Sequence, residues 1–129
     1  MKTDFTRAQV KALLLVASKT RPGEAHPYAD LLEAAIKETT PVAELAQIKE
    51  QAKTYLKDAP DRRHREAATL LYHAAVASAF VHHSALISGR PMRKQEALYK
   101  QFADAWDGRP LGRIFREAAA RAVASDAVE

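Results

Sequence analysis

The longest apolar segment of the chain runs from Ala67 to Ile87 and contains no charged side chain. When its residues are placed at the 100° intervals of an α-helix, large apolar side chains occur on every side. A helix that is apolar all round is either buried by neighbouring helices or lies in a membrane. Histidines and serines interrupt the run, which argues against a membrane span. We therefore predict a long central helix over residues 62–88, enclosed by the other helices and leaving no reactive cleft.

Segments with a helical spacing of apolar side chains lie on both sides of this central segment. Apolar residues recur three and four positions apart within residues 7–19, 27–38 and 41–57 before it, and within residues 91–106 and 110–123 after it. Proline stands at the start of four of these segments, where its missing N–H costs no hydrogen bond. The pattern predicts an all-α fold: a compact bundle of five to six helices around the long central helix.

Cap and breaker residues predict where individual helices begin and end. Asp61 can cap the first turn of the central helix with its carboxylate. Gly89, followed by Pro91, is typical of a helix end and predicts that the central helix stops there. Pro110 is expected to open the last helix, and the residues from 124 onward are expected to form a loose tail.

Composition supports one helical domain and excludes several kinds of site. The chain has 129 residues, the length of one ordinary domain. We predict a single domain over residues 1–129, with frayed ends at 1–5 and 125–129. The chain has no cysteine, which excludes disulfides, thiol catalysis and thiolate metal sites. Because the N-terminus has no signal-peptide pattern, we expect a cytoplasmic protein. We also expect no membrane partner and no cofactor.

Four of the five histidines fall on the predicted central helix. A metal site made by two histidines of one helix needs a spacing of four. His64, His73 and His82 are nine apart, so successive rings point to opposite sides, and we predict no metal site. We expect His73 and His83 to be buried as neutral rings. His73, His82 and His83 are predicted pH-sensitive residues, and protonation of at least one is expected to loosen or re-pair the helix end.

Three arginines form a basic cluster on the last predicted helix. Arg109, Arg113 and Arg116 are four and three residues apart and therefore share a helix face. We expect Lys100, on the preceding helix, to lie near them. Arginine clusters suit phosphate or carboxylate partners. A nucleic-acid-binding or regulatory protein is thus one alternative function, but the net charge of +4 is mild and the helix start lacks polar base-reading side chains.

The C-terminal section also concentrates aromatic side chains, namely Tyr99, Phe102, Trp106 and Phe115. They either line the core, which we favour, or exceed what a small bundle can bury and form an exposed patch. Tyrosine, tryptophan and arginine together are typical of binding centres. The predicted binding set therefore contains Tyr99 and Trp106 in addition to the three arginines.

The sequence carries no recognisable catalytic signature. It has no glycine-rich phosphate loop and no nucleophile motif, and we assign no catalytic residue. Our hypothesis is a non-enzymatic helical protein–protein interaction module whose partner is another protein or a second copy of the chain. Two alternatives stay open: the nucleic-acid-binding or regulatory protein, and a small enzyme that uses the histidines of the central helix.

Overall fold

The computed structural model of the protein describes residues 28–59, 61–89 and 92–128. These residues form five α-helices that pack against one another, and no strand occurs among them. The all-α prediction is therefore confirmed. The predicted helix over residues 7–19 lies outside the described residues. The helices are α1 (Tyr28–Ile36), α2 (Val42–Lys57), α3 (Arg62–His83), α4 (Glu96–Ala105) and α5 (Pro110–Val128), with a 3-10 helix at Met92–Gln95 before α4.

Helix α3 occupies the middle of the bundle. It packs against α2, α1 and α5, while α4 packs mainly on α5. Alanines make close approach possible, because Ala68, Ala74 and Ala77 on α3 are completely buried. Helix α4 meets α3 through rings: those of Tyr99 and Phe102 lie 5.7 and 6.0 Å from the His73 ring. The predicted central helix thus contacts neighbours on several sides.

The N-terminus of α3 is capped as predicted. Asp61 has an extended backbone, and its Oδ1 accepts a hydrogen bond from the backbone N–H of His64 at 2.9 Å. The same oxygen lies 2.7 Å from Nδ1 of the His64 ring. The carboxylate therefore satisfies one of the N–H groups that the first turn leaves without a helical acceptor.

The C-terminus of α3 corrects the predicted range of 62–88, because the helix ends at His83. Ser84 adopts a left-handed backbone with φ of 52°, which stops helical propagation. The N–H of Ala85 then donates back to the Ala79 carbonyl at 3.0 Å. The chain beyond is held from α2, since Lys49 Nζ donates to the carbonyl of Ile87 at 2.5 Å. Gly89 lies beyond this connection and therefore does not mark the end of the helix, although the sequence predicted that it would.

A tight turn joins the last two helices, and the close approach of α5 to the backbone of Trp106 requires glycine at position 112. Pro110 opens α5, as predicted, and Gly108 takes a positive φ of 79° in the turn. A Cβ on Gly112 would stand 2.2 Å from the Trp106 carbonyl oxygen, which is far inside van der Waals contact. Helix α5 continues to Val128, past the point where a loose tail was expected.

The segment before α4 differs from its predicted form. The predicted helix over 91–106 begins as the 3-10 helix, whose Met92 is buried while the turn packs on α5. In the described part of the chain, no helix combines the length and apolar character that a membrane span requires.

Candidate functional site

Two of the three predicted arginines, Arg113 and Arg116, lie on one exposed face of α5, and Arg109 directly precedes the first residue of this helix. Arg109, Arg113 and Arg116 are all exposed, and Arg116 Nη2 lies 3.0 Å from Asp107 Oδ1. At 100° per residue, Ala120 and Val123 fall on the same side of the helix. Val123 is 51 % exposed. This face, which we call the α5 face (Arg109, Arg113, Arg116, Ala120 and Val123), is therefore basic at its start and apolar towards its end.

A shallow groove of about 530 Å³ borders the α5 face, between α4 and α5. Alanines form much of the groove lining, with Lys100, Asp104 and Arg116 as the charged groups and Val123 as the large apolar one. The structure thus brings Lys100 and Arg116 to one groove, as expected from the sequence. Both cations are exposed and already have ion-pair partners, because Lys100 Nζ lies 3.2 Å from Oε2 of the half-buried Glu96 and Arg116 pairs with the exposed Asp107. Exposed pairs of this kind contribute at most about 1 kcal/mol and exchange readily.

The predicted aromatic part of the binding set is corrected by the structure. Tyr99 is completely buried and Trp106 is 4 % exposed, so neither can serve as an exposed binding residue. They belong to an aromatic core in which the Phe115 ring lies 5.3 Å from that of Tyr99 and 4.7 Å from that of Phe102. The reason is geometric: α4 lies directly on α5, and its aromatic ridge points into their interface.

The histidines of α3 have different environments, although the rings of His82 and His83 stand edge-on to each other at 6.5 Å. The His82 ring Nδ1 lies 3.1 Å from the Ser78 hydroxyl, and the His73 ring stands edge-on to Tyr72 and Tyr99. His83 is exposed, which corrects the prediction that it is buried, because α3 ends there. Among the residues that the structure describes, no group of three or more histidine, aspartate or glutamate residues is placed to hold a metal ion.

His83 makes a contact between the end of α3 and the turn before α2. Its Nε2 lies 2.8 Å from the carbonyl oxygen of Thr40. Because a carbonyl can only accept, Nε2 carries the proton and donates. The bond therefore survives protonation of the other ring nitrogen, so this contact gives no support to the expected loosening of the helix end through His83.

A half-open cleft of about 500 Å³ lies between α2, α3 and α4, against the central helix. It is the feature that the sequence did not predict, since an enclosed helix was expected to leave no cleft. Three apolar side chains contribute to its wall, namely Leu56, Val76 and Leu98. The remaining lining residues carry polar groups: Lys53, Thr69, Tyr72, His73, Ser88, Gln95 and Tyr99.

Tyr99, one of the residues that line this cleft, carries an unusual hydroxyl. It is buried and has no hydrogen-bond partner among the described residues. Burial raises the pKa of Tyr99 well above its ordinary value, and the nearby Tyr72 adds to the shift, so the group stays a neutral donor at physiological pH. Leaving a buried polar group unsatisfied costs about 1–3 kcal/mol. An acceptor supplied from outside the described chain would recover this cost.

Lys53 is the charged side chain of the described lining. It is 58 % exposed and lies 3.7 Å from Glu50 Oε1, whereas Lys49 contacts the same carboxylate at 3.2 Å. The hydrogen bond from Lys49 is the main reason that the pKa of Glu50 is lowered. Because Glu50 is held chiefly by Lys49, the Lys53 ammonium keeps most of its capacity to bind an anion at the cleft.

Periodicity could not identify this cleft, because its polar groups come from three α-helices, the 3-10 helix and the connection after α3. From the sequence, His73 was predicted as a pH-sensitive residue, and Tyr99 was predicted as an exposed binding residue. Lys53 and Gln95 were missed because nothing in their local sequence distinguishes them from ordinary solvated positions.

Comparison of the chain with protein-family models, with curated proteins and with solved structures gives no match. Function is therefore inferred from the geometry of the chain itself.

Proposed function

We propose that the protein is a non-enzymatic interaction domain that binds an acidic amphipathic helix of a protein partner on the α5 face. The single observation that carries this proposal is the combination of exposed arginines and an exposed valine along one side of α5. Arg113 and Arg116 lie in its first two turns, and Val123 follows two turns later. A cytoplasmic location remains part of the proposal.

The chemistry of the groove beside this face favours a helix as the partner. Alanines leave space for a second helix to approach closely, and Val123 offers an apolar contact. Helix-in-groove recognition uses apolar anchors at helical spacing, with flanking charges that select the partner. Lys100 and Arg116 supply those charges here and favour carboxylates, although Asp104 reduces the net positive charge.

A second copy of the chain is a less favourable occupant. Pairing two α5 faces would bring two sets of exposed arginines together, and like charges placed opposite each other destabilise an interface. Nucleic acid is also disfavoured, because Arg62 and Arg65 lie at the start of α3 rather than on the α5 face, and phosphate binding gains from a continuous basic surface.

The proposal is tested with a designed amphipathic helical peptide that carries leucine at helical spacing and glutamate beside it. A matched peptide with lysine in place of glutamate serves as the control. Fluorescence anisotropy should show binding of the acidic peptide only. Arg116→Glu should weaken that binding about tenfold, since it replaces attraction by repulsion. Arg62→Glu, the same charge change at an exposed site on α3, should have little effect.

A second pair of variants tests the apolar part of the α5 face. Val123→Asp should weaken peptide binding, whereas Leu86→Asp, at a side chain that is 62 % exposed elsewhere, should not. Equal binding of the two peptides, or equal effects of the variants and their controls, would refute the proposal. Tight binding of a DNA duplex, or a molar mass that doubles with concentration in light scattering, would favour nucleic acid or a second copy instead.

A further inference from the structure

We propose that the cleft between α2, α3 and α4 is a binding site for a small carboxylate on an apolar body. In this site the Tyr99 hydroxyl donates to the carboxylate, and Lys53 supplies the positive charge. The site is separate from the α5 face and does not depend on the function proposed for that face.

The first observation is the hydroxyl itself. Tyr99 lines the cleft, is completely buried, and has no acceptor among the described residues. Buried polar groups in folded proteins nearly always have partners, so an unsatisfied donor beside a cavity is a place where a ligand can supply the acceptor. A carboxylate oxygen is the acceptor that gains most, because hydrogen bonds to an ionised acceptor are the stronger ones.

The second observation is the charge of the lining. Lys53 is cationic, and the described lining contains no carboxylate. Tyr72 and Gln95 add further hydrogen-bond donors near the same space. A lining of this kind favours an anion over a cation and an acceptor-rich head group over a donor-rich one.

The third observation concerns size and apolar surface. A cleft of about 500 Å³ has the volume of ordinary small-molecule sites. Leu56, Val76 and Leu98 form an apolar wall on which a hydrocarbon body can pack. The rings of Tyr72 and His73, which stand edge-on to each other, also line the cleft. Since the cleft is half-open, one end of the ligand remains in contact with water.

The test uses three probes on the full chain: phenylacetate, its neutral amide phenylacetamide, and octanoate. Dissociation constants come from titrations followed by protein NMR. Phenylacetate should bind at least about fivefold more tightly than phenylacetamide, because the charge-assisted bond is lost in the amide. Comparison of phenylacetate with octanoate then decides whether the apolar body is aromatic or aliphatic, and binding of either carboxylate supports the proposal.

Two substitutions assign the roles of the residues. Tyr99→Phe removes only the hydroxyl and should weaken carboxylate binding about tenfold or more, while the melting temperature of the free protein stays equal or rises. Lys53→Gln should weaken carboxylate binding about two- to fivefold, as expected for a partly exposed charge, and should leave amide binding unchanged. Lys57→Gln, one turn further along α2 and outside the cleft lining, is the matched control.

The proposal is overturned if neither carboxylate binds at millimolar concentration. It is equally overturned if Tyr99→Phe binds phenylacetate as tightly as the unmodified chain does, or if the amide binds as well as the acid. None of these results bears on peptide binding at the α5 face, so failure of one site is distinguishable from failure of the other.

Discussion

Two other buried hydroxyls of this protein are satisfied, which makes the Tyr99 hydroxyl informative. Thr40 is 5 % exposed, and its hydroxyl donates to the Ala34 carbonyl at 2.6 Å. The Ser78 hydroxyl is buried within 3.1 Å of the His82 ring. Trp106 is a second aromatic residue with a buried donor that has no partner among the described residues, but it does not line the cleft. Tyr99 lines the cleft and its hydroxyl has no acceptor among the described residues, which is why that site carries a binding proposal.

Tyr99 should also make folding stability depend on alkaline pH. Its folded-state pKa is raised above the ordinary value of 10.0, because burial disfavours the phenolate. Above that pH the unfolded chain loses the proton while the folded chain keeps it, so the unfolded state binds fewer protons and the free energy of unfolding falls as pH rises. Urea unfolding should show this loss in the unmodified chain.

In Tyr99→Phe the alkaline loss of stability should be smaller. It should not vanish, because burial also raises the pKa of Tyr55. An identical pH dependence in the two proteins would show that the Tyr99 phenol is not buried.

Asp61 offers a second test at the scale of single residues. Asp61→Ala removes the side-chain acceptor for the His64 N–H and should lower the free energy of unfolding by about 1 kcal/mol, the usual value for an N-cap. Asp58→Ala is the control, because Asp58 is exposed at the C-terminal end of α2, where a negative charge is not favoured. Equal losses in denaturant unfolding would argue against the cap.

At the scale of elements, the contact between α4 and α5 depends on Gly112. Replacing a helical glycine by alanine usually stabilises a protein by about 0.5–1 kcal/mol. Here the added methyl would collide with the Trp106 carbonyl, a backbone atom that cannot rotate away. Gly112→Ala should therefore destabilise the protein by about 1–3 kcal/mol, as overpacking does. A rise in the melting temperature would contradict this account of the turn.

The helices could be predicted from the sequence to the extent that local chemistry determines them. Asp61 and Pro110 mark helix starts correctly, because a cap and a fixed φ act within one turn. The end of α3 was predicted five residues too late, because Ser84 carries no local signal for its left-handed backbone. Two contacts hold this region: Lys49 donates to the carbonyl of Ile87, and the His83 ring donates to the carbonyl of Thr40. Both partners are far away in sequence.

The candidate sites divide in the same way. The α5 face was predictable, because Arg113 and Arg116 lie on one helix, Arg109 directly precedes it, and the spacing of the three follows the helical period. The cleft was not, because it depends on how α2, α3 and α4 lie relative to one another. The burial of Trp106 could not be predicted for the same reason. Its side chain combines an apolar ring with a polar N–H, and only the packing of α4 on α5 decides that it is buried.

For the molecule as a whole, the described fold separates the buried core from the two proposed binding surfaces. Helix α3 and its alanine contacts fill the centre, the cleft lies on one side of it, and the α5 face lies on the outside of the bundle. Binding at a basic face of exposed arginines should also weaken as salt is added, because exposed charges are screened.

The most direct test of the proposed interaction is to map where the acidic amphipathic peptide binds, using backbone amide shifts of the isotope-labelled chain. The account predicts that shift changes concentrate in residues 113–123 of α5 and in the neighbouring part of α4, and that Arg116→Glu needs about ten times more peptide to produce them. Shift changes centred on the start of α3, or spread evenly over the bundle, would contradict it.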